Sequence, residues 1–115
     1  MIKLLIPIDF SVSSSASLRF GFELAQKVKA EIHVIHVYAP SLLEPYMPFA
    51  LEQALKKSKE QEAMNLFQSW LEEQHLVPPA HTPINYELLR GEAKQTILDY
   101  ASDWGANKII MGTGQ

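Results

Sequence analysis

The sequence predicts an α/β domain built on an open, mainly parallel sheet, and three observations carry that expectation. The first apolar run, Ile2, Leu4, Leu5, Ile6 and Ile8, is nearly continuous rather than alternating, the pattern of a strand covered on both faces. Segments of strand composition then alternate with segments whose apolar residues recur at helical spacing, which calls for right-handed βαβ crossovers. Finally, 115 residues at 47% apolar and 20% charged leave room for one core and not for two. Folding at this size buries about 65% of the surface that the unfolded chain exposes, enough to dispense with disulfides or metal clips.

Each element follows from local pattern. Residues 2 to 8 form a central strand. From Ser11 to Ala30 the period lengthens: Ala16, Phe20, Leu24 and Val28 recur every four residues with Gly21 and Ala25 beside them, and Ser11 or Ser13 can cap the first turn. Glu31 to Tyr38 returns to β-rich composition and is stopped by Ala39 and Pro40. Three prolines between Pro40 and Pro48 favour an extended connection. Leu51, Leu55, Ala63, Leu66, Phe67, Trp70 and Leu71 then mark one face of a long helix, interrupted at Ser58 and Gln61, where it should bend or project. Val77 to Pro83 ends it, and Ile84, Tyr86, Leu88 and Leu89 make a third strand. Ala93, Ile97, Ala101 and Trp104 form a third helical stripe, closed by Gly105 in a left-handed C-terminal position. Lys108 to Met111 is a short fourth strand. The result is a Rossmann-like three-layer sandwich.

Composition narrows the chemistry. There is no cysteine, which removes thiol catalysis, Cys-ligated zinc and iron–sulfur clusters. A formal charge of -3 argues against nucleic acid as the main partner. No apolar run approaches the ~20 residues of a membrane span, and Lys3, Pro7 and Asp9 interrupt any signal-peptide core, so a cytoplasmic location away from membranes is expected. In open parallel sheets ligands bind beyond the carboxyl ends of strands, where the strand order reverses. Two of the four post-strand segments have the character of ligand loops. Asp9 places a carboxylate at the end of a buried strand, able to accept from a ribose or to hold a phosphate-bound metal, although the same residue could simply cap a turn. Gly112-Thr113-Gly114 offers backbone N–H groups that no side chain shields, as glycine loops do to phosphates. Neither G-x-x-x-x-G-K-[ST] nor G-x-G-x-x-G is present, so a P-loop or dinucleotide fold is disfavoured.

Taken together, Ile6-Pro7-Ile8-Asp9-Phe10-Ser11, His36-Val37, Gly91-Glu92-Ala93 leading into Ile97 and Ala101, and Asn107-Lys108-Ile109-Ile110-Met111-Gly112-Thr113 resemble the universal stress protein family across essentially all of residues 1–115. The resemblance implies one domain, short at its C terminus, whose sheet follows the family order 3-2-1-4-5 with the fifth strand absent from this chain. It further implies a stress-response role, homodimerisation, and a switch point between Asp9 and Gly112. One branch of the family binds ATP through G-x-x-G, nine residues, then G-[ST]. Gly112 matches the first glycine, Gln115 occupies the place of the second, Gly114 falls one residue early, and the distal G-[ST] is missing.

The resulting expectation is a non-catalytic domain taking ATP or AMP, with magnesium where the phosphates require it. Adenine would lie against Ile8, Val37 and Met111 beside Pro7, the ribose or metal at Asp9, and the phosphates against Gly112, Thr113 and Gly114. The competing reading is a protein–protein interaction module with a degenerate pocket. Other polar residues take bland roles. His33 and His36, three apart on a strand, face opposite ways and cannot chelate one metal; His75 and His81 are solvated; Asp99 and Asp103 share a helix face without a partner acid or base. Trp70 and Trp104 fall on apolar stripes, and the serines from Ser11 to Ser17 cap a helix and lack a positioned base.

Overall fold

The computed structural model describes residues 1–39 and 48–112; most of the Pro40–Pro48 connection, together with Thr113, Gly114 and Gln115, lies outside them. Seven elements follow in the order β1 (Ile2–Ile8), α1 (Val12–Lys27), β2 (Ala30–Tyr38), α2 (Phe49–Glu73), β3 (Ile84–Arg90), α3 (Ala93–Trp104) and β4 (Lys108–Ile109). All described strand pairs are parallel, and the sheet runs β3-β2-β1-β4, the expected order. β1 is therefore central, and residues 4 to 8 are buried without exception.

Alternation within β1 feeds two cores. Leu4, Ile6 and Ile8 point to a large cluster with Leu18 and Phe22 of α1 and Phe67 and Trp70 of α2. Leu5 points the other way, to a small cluster with Ile35 of β2 and Ile97 of α3. At roughly 1.5–3 kcal/mol per large apolar side chain, the α1/α2 face contributes most of the burial energy. The α3 face is thinner.

Three local readings change. The buried face of α1 is Ser14, Ser17, Leu18, Gly21, Phe22 and Ala25, rotated away from the expected stripe; Ala16 and Val28 are exposed and Phe20 is 57% exposed. Buried serines rotate the face. Ser17 Oγ donates to the Ser13 carbonyl at 3.0 Å and Ser14 Oγ is bonded to Asp9, so both hydroxyls can go inward. Gly21 lets the helix settle on β1, since a side chain there would strike the Ile6 side chain. Among the described side chains of α2 only Ala63, Phe67 and Trp70 are buried, all in its C-terminal half, whereas Leu51 and Leu66 of the expected stripe are exposed; the molecule extends 53 × 30 × 29 Å. β4 is two residues long rather than four, although Ile110 N–H still donates to the Leu5 carbonyl at 2.8 Å. Gly105 ends α3 at φ 79°, as its position required.

Candidate functional site

The order β3-β2-β1-β4 reverses direction between β1 and β4, and at the carboxyl ends of these two strands lies a cleft of about 150 Å³. Pro7, Ile8 and Asp9 form one wall and Met111 and Gly112 the facing one, with Val37 contributed by β2. Every predicted site residue that is described lines this cleft. Thr113 and Gly114 lie outside the described residues. The sequence reading missed Ser11, Ser13 and Ser14 from the start of α1, and Ala93 and Ile97 from α3, as lining residues. The signal for the serines was their position directly after Asp9; that for Ala93 and Ile97 was the four-residue spacing at the head of a helix.

The Asp9 turn is tightly bonded. Ser14 Oγ donates to Asp9 Oδ1 at 2.7 Å and accepts from Asp9 N–H at 2.8 Å, and Ser11 N–H donates to the same Oδ1 at 3.1 Å. Ser11 is the N-cap of α1, its hydroxyl accepting from Ser14 N–H at 3.2 Å. The Ser11 and Ser14 side chains hold the Asp9 carboxyl below its usual range, against a smaller opposing effect of burial, with the Ser11 N–H adding to the lowering. Asp9 is thus an acceptor and not an acid at neutral pH. Ser14 is no nucleophile: it is buried, and both its proton and a lone pair are committed to the turn. The Ser14 hydroxyl and the Ser11 N–H both bond Oδ1.

Gly112 has a role the sequence did not disclose. A Cβ there would collide with Ser13 Cβ and come within 2.8 Å of Ser13 Cα and C, so the backbone after β4 packs directly on the first turn of α1. Among the lining residues none is Lys or Arg, and among the described residues no group of three or more His, Asp or Glu is placed to hold a metal. His33 and His36 do face opposite sides of the sheet, His33 stacking on Trp104 at 3.7 Å and His36 lying 6.2 Å from Phe67. Glu92 caps α3, accepting from Gln95 N–H at 2.7 Å and Lys94 N–H at 3.1 Å. No described helix is long and apolar enough to cross a membrane.

A four-stranded parallel sheet with a lined cleft at its switch point defines an open α/β domain with a candidate ligand site. The family profile described as the universal stress protein family matches residues 1–115, and the chain belongs to that family. Among solved structures, the chain resembles hypothetical protein MJ0577 (24% identity, 96% of this chain and 73% of that one, TM-score 0.74). It also resembles the universal stress protein UspA from Lactobacillus plantarum (22% identity, 95% and 74%, TM-score 0.65). A third similar structure is a universal stress protein family protein from Arabidopsis thaliana with AMP bound (13% identity, 95% and 74%, TM-score 0.56). These likenesses support the fold. A comparison with curated proteins returned no match.

Proposed function

We propose that this chain is a stress-response protein that binds an adenine nucleotide, AMP or ATP, weakly and without catalysis in the cleft between β1 and β4. The observation that carries the reading is the convergence of Pro7, Ile8, Asp9, Val37, Met111 and Gly112, drawn from three strand ends, on one cleft. The AMP found in the Arabidopsis relative supports the ligand class. A cleft of about 150 Å³ is below the ~300–1,000 Å³ of drug-sized pockets and suits a base, leaving sugar and phosphates at its mouth. Adenine lies between Ile8, Val37 and Met111, and a ribose hydroxyl donates to the Asp9 carboxylate. Phosphates reach toward the N–H group of Gly112; Thr113 and Gly114, the other phosphate contacts expected from the sequence, lie outside the described residues.

Without a lining cation the phosphates gain little, so affinity is near 0.1 mM, about 5.5 kcal/mol. For a triphosphate, Asp9 is the residue that would share a magnesium ion with the ligand. Native mass spectrometry with added AMP or ATP and magnesium tests the reading. A single-nucleotide adduct is expected; no adduct up to millimolar ligand would refute it.

A second reading is favoured by one observation. Phe20, Ile109 and Met111 are 57%, 39% and 56% exposed along the outer side of β4, a strip of apolar surface beside a strand edge that no described residue pairs. Such an edge suits an interaction module that assembles as a homodimer.

A further inference from the structure

The turn carrying Asp9 is also held by residues that do not line the cleft. Phe10 adopts φ 66°, a left-handed conformation that a bulky side chain takes only when its surroundings impose it. That backbone sends the Phe10 ring toward α2, 4.2 Å from the His36 ring, 5.9 Å from Trp70 and 6.4 Å from Phe67. His36 is the register partner of Ile8 across β1 and β2, and its Nδ1 lies 2.8 Å from the Ile8 carbonyl oxygen. A carbonyl can only accept, so Nδ1 bears the hydrogen.

The Ile8–Asp9 peptide unit is consequently gripped at both ends. His36 donates to its carbonyl, and its N–H donates to Ser14 Oγ, the same hydroxyl that bonds the Asp9 carboxylate. A peptide unit is planar, so rotating it would break both contacts together. Its setting fixes where Asp9 points. His36 itself does not line the cleft.

We propose that His36 is a positioning residue for the ligand site, its Nδ1–H on the Ile8 carbonyl and its ring against Phe10 setting the direction in which Asp9 presents its carboxylate to the nucleotide. The inference rests on the reading of Asp9 as the ribose partner. It makes the α2 contacts of Phe10, at Phe67 and Trp70, a support for a site whose lining contains no residue of α2.

Two variants separate positioning from space filling. His36→Phe keeps a ring against Phe10 and loses the donor, whereas His36→Asn loses the ring and keeps an N–H donor at the position of Nδ1. Positioning predicts opposite rankings: His36→Phe melts nearer to the parent than His36→Asn does, yet binds AMP about tenfold more weakly than the parent, while His36→Asn binds within about threefold of it. The Asp9 carboxyl, followed by NMR from pH 2 to 6, supplies a readout that needs no nucleotide. It should titrate below its ordinary value of 3.8 in the parent and in His36→Asn, and move up toward that value in His36→Phe. Equal Asp9 titration in all three proteins, or affinities that follow the melting temperatures, would overturn the inference. If the parent binds no AMP, the functional reading fails, and the Asp9 titration alone decides whether His36 positions the carboxylate.

Discussion

Asp9 and Gly112 face each other across the cleft and respond to substitution for different reasons. The folded Asp9 carboxyl has a lowered pKa, so its contribution to stability is full above the ordinary value of 3.8 and is lost as pH falls through and below it. Asp9→Asn should cost about 0.5–1 kcal/mol at neutral pH, at the low end because the carboxylate is solvent-exposed and screened. Urea melts should show that deficit constant from pH 7 to 5 and closing below about pH 4. Gly112→Ala should lower stability by about 1–3 kcal/mol, because the new methyl meets Ser13 backbone atoms that cannot swing away. The sequence disclosed Gly112 as a bare N–H donor but not as a packing contact, since the proximity of Ser13 exists only once β4 lies beside β1. A substitution at Gly112 therefore reports on the fold as well as on phosphate contact, and Asp9 is the cleaner probe of the site.

At the level of elements, helices were legible as helices and their buried faces less so. In α1 the apolar stripe through Phe20 competed with a face carrying two serines, and the serines won because each hydroxyl finds a partner close along the chain. Phe22→Ala should cost about 3–5 kcal/mol and Phe20→Ser less than about 0.5 kcal/mol, a contrast that thermal melts followed by circular dichroism would reveal. Comparable losses at both positions would restore the original stripe. In α2 the expected stripe held only in part: Ala63, Phe67 and Trp70 are buried, whereas Leu51 and Leu66 are exposed. The link between His36 and Ile8 was invisible in sequence: 28 residues separate them, and only the β1–β2 register brings them together.

For the whole molecule, the continuous apolar character of β1 was sufficient to make it central, because only a strand with neighbours on both edges and helices on both faces can bury every residue from 4 to 8. The location of the cleft followed from the strand order that the family resemblance implied, the residues alone pointing only to the segments after the strands. The exposed strip of Phe20, Ile109 and Met111 along β4 predicts a dimer or larger assembly, since open apolar edges tend to be covered. Sedimentation at high micromolar concentration should show it, and Ile109→Lys, which places a charge on the edge, should shift the protein toward monomer without lowering its melting temperature. A clean monomer for the parent would defeat the assembly reading and leave the cleft untouched. The central claim, that the carboxyl ends of β1 and β4 form an adenine nucleotide site anchored by Asp9, is tested most directly by calorimetric titration of AMP into the parent and into Asp9→Ala, with melting curves confirming that both are folded. A dissociation constant near 0.1 mM is expected for the parent and no measurable heat for Asp9→Ala; a parent that gives no heat, or an Asp9→Ala protein that binds as the parent does, would contradict an Asp9-anchored site.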